Sequence, residues 1–324
     1  MSESFQPYCI DINTEHCPCL LAETNNCVFC SHLKGEDVCN CNWTGTCIYY
    51  EKQWHSKKSG LLYKSTRCEI NALPEGKYNL ASHICYLELA VTPPLAKQLD
   101  QAGAYVFLRR AGDPEYFSFP VGVMGVRNHC LQIVIEAVGP KSTRVLEWDG
   151  EITVRGPYSN GLFGQPWIDN TKSHNVVLIT GGMGQPPAMP VARKLRSNNC
   201  TVTAIVAPGK TGDCFITPWL RELEIGVIEV PSLRQQGIPI FKNMLADIKN
   251  RPDLVVSAGP DEQHYGVIAA MHDGKINLPM AATNNSTMCC GEGICGSCEK
   301  RTGSNKKIKT CKIQTDFRQL ICDE

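Results

Sequence analysis

The sequence predicts an antiparallel β-barrel followed by a parallel α/β domain, with a cysteine-rich segment at each end of the chain. Three observations carry this. Short β-like runs broken by Gly, Pro and Asp turns fill residues 61–170. Strands alternate with helices over 171–285. Of 19 cysteines, eight fall within 9–47 and five within 289–311.

Taken in order, residues 1–60 combine their cysteines with Asn, Thr, Gly and His and show little apolar periodicity. Such a segment builds no core of its own and needs a metal to order it. Over 61–170 the runs at 83–91, 104–109, 131–138 and 151–154 read as strands, and their spacing suits a small barrel or sandwich. From 174 the pattern changes. Val176-Val177-Leu178-Ile179-Thr180 is an apolar strand. A helix follows at 188–197, a strand at 201–207, a helix at 217–224 and a strand at 226–230. The series ends with a helix at 240–249, a strand at 254–257 and a helix at 263–271. Residues 286–324 are Gly- and Cys-rich and carry a Lys-rich hairpin. The expected domains are therefore 1–60, 61–170, 171–285 and 286–324.

The 324 residues hold 32 basic and 32 acidic side chains. A chain with zero formal net charge is not expected to bind nucleic acid, because a polyanion needs a basic surface. No apolar run reaches the roughly 18–20 residues that cross a bilayer. Residues 1–7 lack the basic region and apolar core of a secretory signal, so a cytoplasmic location is expected. There, cysteine at this density points to metal or redox chemistry before disulfides.

Cys290, Cys295, Cys298 and Cys311 form C-x4-C-x2-C-x12-C. The first three spacings suit plant-type 2Fe–2S ligation, in which four thiolates converge on two irons. Gly291, Gly293 and Gly296 would let the backbone fold around the cluster and aim N–H groups at the sulfurs. A structural zinc site is the plainer alternative, but it usually shows two C-x2-C knuckles, and here there is one.

After the strand at 176–180 comes Gly181-Gly182-Met183-Gly184-Gln185-Pro186-Pro187 and then a helix. Glycines at such a turn let a pyrophosphate approach the helix N-terminus. The third glycine of G-x-G-x-x-G is replaced by proline, so the loop alone is a weak signal. Ser257-Ala258-Gly259-Pro260 adds small residues at the carboxyl edge of the last strand, where open α/β sheets bind ligands. Residues 204–211, A-I-V-A-P-G-K-T, imitate a P-loop. They fall on the second strand of a domain whose phosphate loop is on the first, so triphosphate hydrolysis is not expected. Lys210 and the lack of an acid there lean toward NADPH.

Together these residues resemble the iron–sulfur flavoprotein subunits of the ferredoxin–NADP reductase superfamily. The nearest likeness is to the dihydroorotate dehydrogenase electron-transfer subunits and the related sulfide dehydrogenase subunits. The resemblance spans residues 75–315. It rests on Gly156-Pro157-Tyr158-Ser159-Asn160-Gly161, the loop at 181–187, Ser257–Pro260 and the C-terminal cysteines. It implies an FAD-binding barrel, an NAD(P)-binding domain with Gly181, Gly182, Gly184, Pro186, Ala258, Gly259 and Pro260 at the dinucleotide, and a 2Fe–2S cluster. Hydride would pass from nicotinamide to flavin, and single electrons from there through the cluster. The chain departs from the family at Phe119-Pro120-Val121-Gly122-Val123-Met124. The Arg and Ser or Tyr-Ser that usually meet the flavin are missing there. Backbone at Pro120, Val121, Gly122 and Val123 would serve instead, with Gly139, Lys141, Ser142, Thr143, Arg127 or Arg144 near the pyrophosphate. Ala258 stands where many relatives carry cysteine.

Cys17, Cys19, Cys27, Cys30, Cys39, Cys41 and Cys47, with Cys9 upstream, form a second thiol set. A 4Fe–4S cluster would extend an electron path. Zinc and redox disulfides are the alternatives. His83, His129, His174 and His264 read as structural. The expected activity is thus an NAD(P)H-dependent oxidoreductase exchanging electrons with redox subunits or a ferredoxin-like carrier in a hetero-oligomer. The alternative is a flavin-free iron–sulfur adaptor.

Overall fold

A computed structural model describes residues 5–11, 14, 16, 30, 31, 67–293, 295–303 and 305–320. The described chain divides into two compact units. Cys68–Asn285 with Asp316–Arg318 make the first, and the described parts of Phe5–Arg67, Ser286–Thr315 and Gln319–Glu324 make the second.

After a two-residue strand, β1 (Tyr8–Cys9), which lies in the second unit, the chain builds an antiparallel sheet of seven strands. They are β2 (Cys68–Ala72), β3 (Pro74–Ala81), β4 (Ile84–Ala90), β5 (Tyr105–Arg110), β6 (Phe119–Arg127), β7 (Cys130–Glu136) and β8 (Ile152–Tyr158). Their order is β2-β8-β5-β6-β7-β4-β3. The sheet is a curled half-barrel. Alternate residues meet in one core, among them Leu87 and Leu89, Val106 and Leu108, Val121 and Val123, and Leu131 and Ile133. This is the period of two that a pleated strand imposes. Two helices, α1 (Pro93–Leu99) and α2 (Pro140–Leu146), add Leu95, Leu99 and Val145 to that core. Register breaks at Val123/Gly125 and Tyr105/Phe107 help the strands bend.

Next, β9 (Leu162–Phe163) and α3 (Gln165–Asn170) lead into β10 (Asn175–Gly181), β11 (Thr201–Ala207), β12 (Gly226–Glu229), β13 (Leu254–Ala258) and β14 (Met280–Thr283). This sheet of six has the order β12-β11-β10-β13-β14-β9, with only β9 antiparallel. Helices α4 (Gln185–Ser197), α5 (Thr217–Glu222), α6 (Ile238–Ala246) and α7 (Asp261–Asp273) connect the parallel strands. Val176 to Ile179 and Leu254 to Val256 are buried, so the central strands read as unbroken apolar runs. The order reverses between β10 and β13, which makes their carboxyl ends the topological switch point.

The predicted strands and helices of this unit are all present, within a few residues at their ends. Sequence reading left out β2, β3, β6, β9, β14 and the short helices α1, α2 and α3. Edge strand β3 exposes most of its residues, so pairing with β4 shapes it where no apolar alternation does.

In the second unit the Lys-rich hairpin is β15 (Glu299–Arg301) paired with β16 (Lys307–Lys309). Strand β17 (Ile313–Gln314) pairs antiparallel with β1. Of the N-terminal thiols, Cys30 is buried and Cys9 half-buried, while Cys17, Cys19, Cys27, Cys39, Cys41 and Cys47 lie outside the described residues. Among the described residues no helix is long and apolar enough to cross a membrane.

Candidate functional site

Strand β10 delivers Gly181 to the switch point, and a 3-10 turn over Gly182–Gly184 leads into α4. The register sets Thr180 beside Ala258, so the glycine turn meets Ser257–Pro260 directly. A Cβ on Gly184 would lie 2.1 Å from the Ala258 carbonyl oxygen, which leaves room for glycine alone. Pro186 occupies the first turn of α4, where a missing N–H breaks no bond. A third turn joins these two. Gly209 has φ +56°, and a Cβ there would lie 2.8 Å from Cα of Gly182. The Gln185 amide donates to the Asp213 carbonyl at 2.9 Å, and Thr211 Oγ1 donates to the same oxygen at 3.0 Å. Thus the P-loop-like stretch is the turn after β11, interlocked with the glycine turn, and Lys210 is exposed on it. Sequence reasoning missed Gly209 and Gln185. The signal available was the Pro-Gly at the end of an apolar strand.

The turn at Ala258 and Gly259 is held from below. Thr283 Oγ1 accepts from the Gly259 N–H at 3.1 Å and donates to the Gly259 carbonyl at 2.9 Å. The Asn285 amide donates to that carbonyl at 2.6 Å. Next to them His264 is fully buried, 2.8 Å from Ser257 Oγ and 3.1 Å from the Thr283 carbonyl. Burial lowers its pKa to about 4 against the pull of Asp261, so the ring is neutral. Its Nδ1 faces the Ser257 hydroxyl, and its Nε2 faces the Thr283 carbonyl and the Asn285 amide. His264, read from sequence as structural, is the joint between β13 and β14. The hydroxyl of Thr180, one residue before the glycine turn, is buried with no partner among the described residues.

Strand β6 lies along α4. Val121 and Val123 point into the half-barrel core. On the other face, a Cβ on Gly122 would be 3.5 Å from Pro187, and Arg193 donates to the Met124 carbonyl at 2.6 Å. Burial pushes the Arg193 guanidinium below its ordinary range. Pro120 is half-buried just before them. At α2, Gly139 has open space where a Cβ would stand. Ser142 Oγ accepts from the N–H groups of Val138 and Gly139 at 3.0 and 3.3 Å, so its hydroxyl serves the helix cap. Thr143 N–H donates to the Gly139 carbonyl at 3.0 Å. Lys141 Nζ donates to the Ser118 carbonyl at 3.1 Å, while Ser118 Oγ is buried with no partner among the described residues. A cation and an unused hydroxyl therefore converge just before Phe119. Arg144 is committed elsewhere, 2.7 Å from Asp113, whose carboxyl it holds low. Arg127 is exposed at the far end of β6.

In the second unit Gly291, Gly293 and Gly296 have φ of +71°, +76° and +80°, the left-handed region that favours glycine. Cys298 and Cys311 are buried, Cys290 is half-buried and Cys295 exposed. Cys290 and Cys298 raise the Cys311 thiol strongly, and Cys298 is lowered to about 7, chiefly by Cys311. The Glu292 N–H donates to Cys290 Sγ at 3.3 Å, and Thr310 Oγ1 to the Cys298 carbonyl at 2.8 Å. Among the described residues no three His, Cys, Asp or Glu side chains stand at metal-holding geometry, and Ile294 in this loop lies outside them.

Beside the loop is a ring of four charges. Arg67 is 2.6 Å from Asp11 and 3.2 Å from Glu292, and Lys312 contacts Asp11 and lies 2.8 Å from Glu292. None of the side chains is more than 12% exposed. Burial works against the Lys312 ammonium, yet Asp11 and Glu292 outweigh it and hold Lys312 above its ordinary range. No spacing in the sequence announced this ring.

No family model matches the chain. It is 29% identical over 208 residues to the probable dihydroorotate dehydrogenase B (NAD(+)) electron transfer subunit of Methanopyrus kandleri, covering 61% of this chain and 73% of that one. It is 27% identical over 206 residues to the subunit of the same name from Clostridium perfringens, covering 62% and 79%. Among solved structures, the NADH-dependent reduced ferredoxin-NADP oxidoreductase superposes with a TM-score of 0.61 at 17% identity, covering 78% of this chain and 90% of that one. A cytochrome P450 reductase of Amycolatopsis gives 0.50 at 18% identity, covering 68% and 71%. The structural likenesses establish the fold, a half-barrel followed by an α/β domain, as in the ferredoxin–NADP reductases. The resemblance read from the motifs is borne out by these homologues and neighbours.

Proposed function

We propose that this chain is the electron-transfer subunit of a redox complex, moving electrons between a nicotinamide dinucleotide, FAD and an iron–sulfur cluster. One observation carries the reading: the three interlocked turns at Gly182, Gly209 and Ala258–Gly259 abut the flavin stretch of β6 through Pro187 and Gly122. Donor and acceptor sites that touch are what hydride transfer requires. The named relatives, electron-transfer subunits of an oxidoreductase, support the same chemistry.

The residues fit the groups this implies. Gly181, Gly182, Gly184, Pro186 and Gly209 would hold the dinucleotide phosphates on backbone, with Ala258, Gly259 and Pro260 beside the nicotinamide. Pro120, Val121, Gly122 and Val123 would face the flavin ring. Lys141 and the unused Ser118 hydroxyl would supply the cation and hydroxyl that the Phe119 stretch lacks, with Gly139, Ser142 and Thr143 near the pyrophosphate. Bound FAD supplies a two-electron acceptor that releases electrons singly. Cys290, Cys295, Cys298 and Cys311 would ligate 2Fe–2S, a reading supported by their C-x4-C-x2-C-x12-C spacing and by the left-handed glycines between them. The N-terminal thiols would carry a 4Fe–4S cluster, with zinc the other outcome. The reading places the protein in the cytoplasm beside a partner redox subunit.

An anaerobic inventory of flavin, iron, sulfide and zinc tests this. The expected result is a flavin visible spectrum that either NADH or NADPH bleaches. A colourless protein overturns it. The departures at Phe119 and Gly122 favour one second reading, a flavin-free iron–sulfur adaptor, which brown protein without extractable flavin would select.

A further inference from the structure

Glu292 lies between two glycines in the left-handed region, Gly291 and Gly293. Glycine is the residue with the most backbone freedom to lose. Yet the Glu292 N–H must hold one direction to reach Cys290 Sγ at 3.3 Å. Its side chain is anchored on both oxygens: one carboxylate oxygen accepts from Arg67 at 3.2 Å, the other from Lys312 at 2.8 Å. Both cations are fixed in turn by Asp11. Asp11 itself is set by the main chain, through the pairing of β1 with β17 and the Ile10 N–H donating to the Lys312 carbonyl at 2.8 Å.

We propose that Glu292 is a positioning residue for the Cys290 sulfur, and that Asp11, Arg67 and Lys312 lock it in that role. Resting on the reading that Cys290 ligates a 2Fe–2S cluster, the inference assigns a function to a ring that joins residues up to 301 positions apart. An N–H aimed at a ligand sulfur favours the more negative, reduced cluster and so raises its reduction potential. Each carboxylate in the ring touches both cations, so no member can leave without stranding a buried charge. The chain on either side of the cysteine-rich segment, at Asp11 and at Arg67, therefore bears on how the C-terminal loop presents its sulfur.

The test is the double variant Glu292→Leu/Lys312→Met in the full chain, purified anaerobically. It removes one charge of each sign, so net charge beside the cluster is unchanged. Apolar replacement of a buried ion pair is often tolerated, so the fold is expected to persist. The reduced 2Fe–2S signal in electron paramagnetic resonance should change shape and its midpoint potential should fall. Iron release to a chelator should speed up on the order of tenfold, as for other residues that support a ligand. Should that variant not fold, Glu292→Asp, which keeps the charge but shortens the tether, is read in the same way. A wild-type signal that neither variant moves, even with altered thermal stability, overturns this inference alone and leaves a plain clamp. A wild type with no 2Fe–2S signal overturns the functional reading and this inference with it.

Discussion

The glycine turn at 181–184 and the cysteine loop at 290–298 both rely on left-handed glycine, and they are held in place by opposite means. Gly182 has φ +55° and sits at the end of a strand whose Leu178 and Ile179 are fully buried. Its neighbours are backbone: the Ala258 carbonyl would lie 2.1 Å from a Cβ on Gly184. Hydrophobic layers set that geometry before any ligand arrives. The cysteine loop has φ of +71° at Gly291 and +76° at Gly293, and its Glu292 is held by two cations, Arg67 and Lys312, that share a second carboxylate, Asp11. Where a segment has apolar layers the site is preformed; where it has few, charges and, on the proposed function, a metal do the ordering.

That contrast can be broken from either side. Chelation of the metal should have the largest effect. Hydrogen exchange is expected to show protection lost over 290–311 and kept over β10 and β11, since metal binding in small modules is worth on the order of 10 kcal/mol of folding. Equal loss in both regions would erase the distinction. Asp11→Asn comes next. It leaves Arg67 and Lys312 sharing Glu292 alone, and calorimetry should show the second unit destabilised by roughly 3–5 kcal/mol, as for other broken buried pairs.

On the preformed side, Gly184→Val should cost about 3 kcal/mol by overpacking against backbone that has no rotamer to yield. It should also abolish NADH or NADPH bleaching, while the iron content stays unchanged. The smallest effect is graded with pH. His264 titrates near 6.5 when unfolded and near 4 when buried, so its contribution is present above pH 6.5 and is lost as pH falls toward 4. Urea unfolding should register a loss of about 3 kcal/mol across that window in the wild type, and much less in His264→Asn. A wild-type stability that is flat from pH 7 to 4.5 would remove His264 from the joint between β13 and β14.

Much of the first unit was legible in the chain. The run at 176–180, the turn at 181–187 and the strand at 254–257 all carry their structure locally, through apolar periodicity and glycine, and each was found within a few residues. The cysteine spacing named four candidate ligands, of which Cys298 and Cys311 are buried, Cys290 is half-buried and Cys295 is exposed. Less legible were contacts made across the sheets. Gly209 looked like part of a P-loop because a sequence shows only that it follows a strand. It does not show that the turn closes on Gly182.

The sequence by itself determined the order of β and α/β regions and singled out the candidate glycine turns and cysteines, because period, turn chemistry and spacing are properties of neighbours along the chain. Only the tertiary structure decided which of them meet. Gly122 reaches Pro187, Lys141 reaches Ser118, and Asp11 reaches Lys312. Such pairings are selected by burial. A charge or a glycine far away in sequence becomes a partner only when folding removes the water that would otherwise satisfy it.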